Sequence, residues 1–438
     1  MDKKFVLFMK YLPIGAGLFK LNRSNLIKQL KTNSIAVLNA NDIMPTNADG
    51  TMPFRQNNDL FYLSGIDQEE TTLVLMPDFY EEKFREILFV KETSELIAIW
   101  EGHKLTREEA TEISGIKSVF PNTELEKMLP LLMEQAEYIY LNANEHSRAD
   151  NVVETRDERF INWCKKRFPL HCYERLAPIM RDLRSVKSEI EITLLQKACD
   201  ITAGGFRRVL EFVKPGVMEY EIEAEYIHEF VSNRSRGFAY APIIASGLNA
   251  CVLHYIENNK VCQAGDVLLM DVGAEYANYN ADMTRAIPVS GRFTDRQKAV
   301  YNAVLKVKNE AAGMLAPGNT IKAYHEEVGK IMESELLGLK LLDKTAIKNQ
   351  DPENPAYKKY FMHGTSHHLG LDVHDVGSLS QPMRAGNVFT VEPGIYIREE
   401  NLGIRLEDNV LITEKGTLNL MKQIPVEAEE IEEIMNTK

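Results

Sequence analysis

Short apolar runs and charge-speckled helical stretches alternate along residues 1–175. Runs rich in aliphatic, β-branched and aromatic residues at 34–38, 72–75, 87–90 and 138–141 predict strands, and 106–113 reads as a helix. This rhythm predicts an α/β domain. It gives way at the polar, arginine-bearing stretch 174–188, which contains Pro178 and precedes a long helical period starting at Glu189. The domain boundary is therefore expected near Ala177, with residues 1–177 in one domain and 178–438 in the other.

The second half repeats itself. One helical stretch runs from about Glu189 to Val213 and stops at Pro215-Gly216. Another starts at Thr294, whose hydroxyl can cap it with Gln297 three residues on, and stops at Pro317-Gly318. Each leads into a further acidic helix. Downstream, Gly265-Asp266-Val267-Leu268-Leu269-Met270-Asp271 matches Gly386-Asn387-Val388-Phe389-Thr390-Val391-Glu392, a glycine and a buried-looking strand ending in an acid. Gly273 and Gly394 extend the match. Landmarks in the same order favour duplication over chance and predict a domain with pseudo-twofold symmetry. Acids that end two apolar strands would meet near its axis, and a cluster of buried carboxylates needs cations.

A length of 438 residues suffices for two or three domains, and 44% hydrophobic residues supply a core. The 51 lysines and arginines against 64 acids give a net charge of −13, and no basic block stands out to follow a phosphate backbone. Nucleic acid is thus not expected as a partner. Five cysteines without a CxxC pair argue against a disulfide framework and fit a reducing compartment. Lys3-Lys4 and the apolar stretch up to Phe19 have some likeness to a secretory leader, but Lys10 splits the run and no small-x-small cleavage site is evident. No run approaches the roughly 18 apolar residues that span a bilayer. A soluble, cytoplasmic chain with no membrane partner is expected.

Asp271 ends the run Leu268-Leu269-Met270, so it is expected on a strand with apolar faces. A tight turn near Tyr276-Ala277 would pair position 271 with Asp282 across an antiparallel hairpin, and like charges so opposed need neutralising. Glu392 holds the corresponding place in the second repeat, and Glu407 follows the strand-like Gly403-Ile404-Arg405-Leu406. Four histidines, His363, His367, His368 and His374, fall within twelve residues, and Gly364 and Gly370 favour strand and turn over a zinc-binding helix there. Carboxylates with one or two imidazoles suit divalent ions such as Mn²⁺, Co²⁺ or Zn²⁺. Four acids exceed the needs of one ion. Two ions could share them and activate a water between them, which points to metal-assisted hydrolysis.

The set Asp271, Asp282, His367, Glu392 and Glu407, with HGTSHHLGLDVHDVG, VEPGIYI and GIRLEDNVLIT, resembles the dimetal pita-bread peptidases. The segment PFRQNNDLFYLSG (53–65) most resembles the creatinase-type N-terminal domain of aminopeptidase P, the Xaa-Pro aminopeptidases, and the likeness runs from about Leu18 onward. It implies an α/β two-domain build with a pseudo-twofold α+β pita-bread catalytic domain. It also implies the roles. Asp271 would bind one metal, Asp282 and Glu407 would bridge two, and His367 and Glu392 would complete the other. Glu392 would carry the proton to the leaving proline nitrogen, His374 would steady the oxyanion, and His254 and His363 would line the proline pocket, with His254, His374 and Glu392 as catalytic residues. Arg405 would support the acids from behind. Between the strands that carry Glu392 and Glu407 only Arg398-Glu399-Glu400-Asn401 intervenes, so contacts borne by a longer connection elsewhere in the family are not assumed.

The implied activity is release of the first residue from peptides with proline second, with two divalent ions, Mn²⁺ foremost, in a homo-dimer or homo-tetramer. A prolidase, which would share all five ligands, is the alternative. A non-catalytic pita-bread scaffold that binds a protein is the reading from another class, and the complete ligand set speaks against it. The acidic segment 427–435 is read as a solvated C-terminal helix with Ile431 and Ile434 facing the body.

Overall fold

The apolar runs of the N-terminal half form strands in the computed structural model, which describes residues 10–146, 148–149, 152–378 and 380–437. The leader-like start, Lys3-Lys4 and the apolar residues up to Met9, lies outside the described residues. Two units divide the chain, Met1–Arg184 and Ser185–Lys438.

In the first unit β1 (Ser34–Asn39), β2 (Thr72–Leu75), β3 (Glu86–Val90), β4 (Ser118–Pro121), β5 (Tyr138–Leu141) and β6 (Cys172–Arg175) form one mixed sheet in the order β4-β3-β2-β1-β5-β6. β1 pairs antiparallel with β2 and parallel with β5, which is why β1 is buried along its whole length rather than alternating. One core packs Ile35, Val37, Val74, Ile87 and Ile139 against Leu129, Met133 and Cys164 of the helices Leu125–Met133 and Arg156–Arg167. The expected helix over 106–113 is Arg107–Ser114, with Thr106 and Glu109 closing a capping box.

The polar stretch at the expected boundary carries β6 and the helix Ala177–Ser185. Pro178 lies in the first turn of that helix, where its missing N–H breaks no intrahelical bond. Arg184 pairs with Asp59 at 2.8 Å, so the division falls after Arg184 rather than near Ala177.

The second unit has the repeated plan. Helices Glu189–Phe212 and Asp295–Met314 start at capping boxes on Ser188 and Thr294, and each precedes a second helix, Glu219–Ser232 and Ile321–Gly338. The landmark glycines share backbone geometry, with φ of 96° and 92° at Gly216 and Gly318 and 91° and 90° at Gly265 and Gly386. Only residues that tolerate the left-handed region fit such corners. β7 (Ile243–Ser246), β8 (Val267–Val272) and β11 (Met283–Pro288) make one antiparallel sheet, with the small hairpin β9 (Glu275–Tyr276) and β10 (Tyr279–Asn280) between β8 and β11. In the other repeat β12 (Val388–Val391) pairs with β15 (Asp408–Thr413), which carries β16 (Gly416–Asn419), and β13 (Gly394–Ile397) with β14 (Leu402–Arg405) forms the inner hairpin.

The register differs from the expected one. The turn is Ala277-Asn278, both at positive φ (53° and 68°), as a two-residue hairpin turn of matching twist demands. Asp271 therefore faces Thr284, and Asp282 lies diagonally across the same face instead of directly opposite. Gly273 makes this possible, since a Cβ there would stand 1.8 Å from the Ala281 carbonyl oxygen. At the C-terminus the helix Ala428–Asn436 buries Ile431 and Met435, whereas Ile434 is half-buried, because the packed stripe follows the i, i+4 spacing.

Replacing Gly273 by Ala should lower the stability of the second unit by about 3 kcal/mol or more, since backbone rather than a movable side chain blocks the methyl. Gly216→Ala, in open space at positive φ, should cost only about 1 kcal/mol. Urea unfolding of the two variants checks the ranking, and equal losses would refute the close-approach argument.

Candidate metal centre

Both repeats end an inner strand at an acid and begin the returning strand just after another. Asp271 sits near the end of β8 and Glu392 just past β12; Asp282 and Glu407 immediately precede β11 and β15. The second unit thus delivers all four carboxylates to one place. Donor atoms of Asp282, His367 and Glu407 lie within 4.8 Å of one another. His367 Nε2 is 3.4 Å from Asp282 Oδ2 and 3.7 Å from Glu392 Oε1. Asp271 joins through Tyr240, whose hydroxyl is 2.5 Å from Asp271 Oδ1 and 2.6 Å from Asp282 Oδ1.

His367 comes from the irregular segment after Phe361, as the glycines there suggested, and not from a helix. Its Nδ1 bonds to the His368 carbonyl at 2.9 Å, which leaves Nε2 facing the acids. His368 itself does not join them. Its ring packs on Phe389 with centroids 4.3 Å apart. His374 is exposed and meets the His367 ring edge-to-face at 4.3 Å. His254 is also exposed and close enough to His363 to influence its charge.

Arg405 organises one flank. It donates to Asp271 Oδ2 at 2.5 Å, to Thr284 Oγ1 at 3.0 Å and to the Tyr396 hydroxyl at 2.9 Å. The Thr284 hydroxyl in turn donates a hydrogen bond to Glu407 Oε2 at 2.7 Å, and the Tyr396 hydroxyl bonds His363 Nε2 at 2.8 Å. With Nδ1 of His363 donating to the Gly364 carbonyl at 2.8 Å, the chain of donors runs from Arg405 through Tyr396 to a neutral His363. Burial, then Arg405 and His254, push that imidazole down to about 3. Tyr240, Thr284 and Tyr396 escaped the sequence reading. A lone tyrosine or threonine carries no spacing signal, and only the register of β8 with β11 shows that Thr284 faces Asp271.

The electrostatics call for cations. Burial first, then neighbouring acids, raise Asp271 and Glu407, while Arg405 pulls the other way; burial lifts Glu392 to about 7. Asp408, one residue from Glu407, contrasts with it. Arg285 at 2.6 Å and Lys308 outweigh burial and hold its carboxyl well below the usual range. Asp408 is thus neutralised by two cations, whereas among the four acids of the centre only Asp271 has an arginine, Arg405, on its carboxylate. Oxygen and imidazole donors with surplus negative charge fit divalent metal ions.

Residues 193–414 match the model of metallopeptidase family M24, and residues 19–140 match the aminopeptidase P N-terminal domain. The chain belongs to metallopeptidase family M24. It is 35% identical to a Xaa-Pro aminopeptidase of Haemophilus influenzae, over 87% of this chain and 89% of that protein. With the Xaa-Pro aminopeptidase of Escherichia coli it shares 34% over 95% and 97%. Among solved structures, Pseudomonas aeruginosa aminopeptidase PepP superposes with a TM-score of 0.88 at 31% identity, covering 97% of this chain and 98% of that one. Zinc-substituted E. coli aminopeptidase P in complex with product gives 0.86 at 33%, covering 97% and 99%. This M24 chain is a metal-dependent hydrolase of the metalloexopeptidase type, with the two-domain α/β architecture of its relatives. Among its described residues no helix is long and apolar enough to cross a membrane.

The raised carboxyl of Glu392 predicts a pH signature in metal-free protein. A carboxyl at about 7 when folded and 4.5 when unfolded favours the folded state fully below 4.5 and loses that contribution as pH rises to about 7. Glu392→Gln, which cannot ionise, should therefore gain thermal stability relative to wild type across this window. A divalent ion should stabilise wild type more than the variant. A difference in melting temperature that does not change with pH would contradict the assignment.

Proposed function

We propose that this chain is an Xaa-Pro aminopeptidase, a cytoplasmic homo-dimer or homo-tetramer that releases the first residue from peptides with proline second. Two divalent ions, Mn²⁺ foremost with Co²⁺ or Zn²⁺ as alternatives, would occupy the centre. Convergence of Asp282, Glu392 and Glu407 on His367, with Asp271 joined to Asp282 through Tyr240, carries the reading. Asp271 would hold one ion, Asp282 and Glu407 would bridge both, and His367 and Glu392 would complete the other. Such ions supply a Lewis acid and a water acidic enough to attack a peptide carbonyl at neutral pH.

The chain's own residues do the rest. Glu392 lies 3.7 Å from His367 and 3.8 Å from His363, so it can hold a proton and deliver it to the leaving proline nitrogen. His374, exposed beside His367, can donate to the oxygen on which charge develops. His254 and His363 would flank the proline ring, and a neutral His363 held by Tyr396 offers it a fixed, uncharged wall. Arg405 holds Asp271 and Tyr396 in place. The names of the similar proteins favour an aminopeptidase over a prolidase.

Chelated protein given back Mn²⁺ should release arginine from Arg-Pro-Pro, and Asp271→Ala should reduce this by at least about 100-fold, more than disturbing a partner of a ligand would. Cleavage of Arg-Pro alone would make the protein a prolidase. Light scattering checks the assembly, and a monomer would refute that part.

A further inference from the structure

One buried ion pair stands behind the histidine segment. Lys187 Nζ is 2.9 Å from Asp375 Oδ2, with each side chain 1% exposed. Stability alone is a weak account of such a pair, because both charges give up their water and apolar residues of like volume often serve as well. Its connections suggest another use.

Lys187 directly precedes the N-cap Ser188, and its N–H donates to the Gly386 carbonyl at 2.8 Å, which fixes its backbone to the turn entering β12. Asp375 directly follows His374, and its N–H donates to the His368 carbonyl at 2.9 Å. That same carbonyl accepts from His367 Nδ1 at 2.9 Å. A carbonyl can only accept, so the bond keeps a proton on Nδ1 and directs Nε2 to Asp282 and Glu392. At Gly370 a Cβ would stand 2.1 Å from Asp375 Oδ2 and 3.0 Å from Lys187 Cε, so the segment closes over the pair because that residue is glycine. Asn280 ties the same segment to β10, donating to the Gly370 and Leu371 carbonyls at 3.1 and 2.8 Å.

We propose that the Lys187–Asp375 ion pair is a positioning device for the reaction: it holds the His368 carbonyl that sets the tautomer of His367, and with it the His374 ring packed alongside. The consequence for catalysis rests on the reading of His367 as a metal ligand; the tautomer does not.

The test compares full-length wild type with Lys187→Met, Asp375→Asn and the double variant. Each single change removes one member of a buried ion pair and should lower the melting temperature, while the double variant removes both charges and should recover at least part of it. In metal-free protein with isotope-labelled histidine, at alkaline pH where the ring is neutral, NMR should show wild-type His367 with its proton on Nδ1. In the double variant the proton should shift toward Nε2, where Asp282 accepts it. Mn²⁺ affinity by calorimetry should fall about 10- to 100-fold in the double variant, and kcat for Arg-Pro-Pro should fall with KM little changed. A folded double variant that keeps the tautomer and stays within about twofold of wild type in Mn²⁺ affinity and kcat overturns the proposal. Should wild type bind no Mn²⁺ and cleave neither peptide, the functional reading fails, while the tautomer comparison still decides the positioning role.

Discussion

Negative charge crowded into a buried space governs the second unit. At an effective dielectric constant of about 20, two like charges 4 Å apart repel by about 4 kcal/mol, and four carboxylates make several such pairs. Arg405 offsets part of this through Asp271, and Thr284, Tyr240 and the facing acids share what protons there are. The remainder is balanced by protonation in the free protein and by divalent metal in the working one. Asp408 shows that the fold can neutralise a buried acid where function does not need it free, since Arg285 and Lys308 both close on its carboxylate.

Holding the acids together despite their repulsion is the task of the backbone. Each repeat drives an apolar strand to the centre and brings the chain back through a small hairpin, β9–β10 in one and β13–β14 in the other. The two copies are not identical in register. In the second, the ladder runs from Val391 opposite Asp408 to Gly394 opposite Arg405, so Glu392 and Glu407 come into opposition. In the first, the turn at Ala277-Asn278 offsets Asp271 from Asp282, and Tyr240 fits between their carboxylates. One duplicated plan thus yields an asymmetric centre, with a tyrosine on one side and a histidine segment on the other.

That histidine segment separates four residues of one type into four environments. His367 is aimed at the acids by a carbonyl, His363 is kept neutral by burial and by the nearby Arg405, His374 is exposed at the edge of the His367 ring, and His368 packs on Phe389. Their differences come from hydrogen-bond partners and burial, not from spacing along the chain.

The sequence by itself determined the local rules: strands where apolar runs lie, helix starts at Thr106, Ser188 and Thr294 where a hydroxyl precedes an acid or amide by three residues, and the duplication through its glycines. It also marked the acids at the ends of strand-like runs and the segment rich in histidine as the places to look for a site, because acids at the ends of apolar strands have few places to go. Short-range patterns carry such information. Tertiary structure alone decided the rest. The diagonal offset of Asp271 and Asp282 follows from a one-residue difference in where the turn forms, which composition leaves open between Tyr276-Ala277 and Ala277-Asn278. The helix Ala177–Ser185 tolerates Pro178 because the proline falls in its first turn, and the last helix buries Met435 rather than Ile434 because its packed stripe follows the i, i+4 spacing from Ile431. Tyr240, Thr284, Tyr396 and the Lys187–Asp375 pair acquire their roles from residues 31 to 188 positions away, a separation over which no pattern along the chain extends.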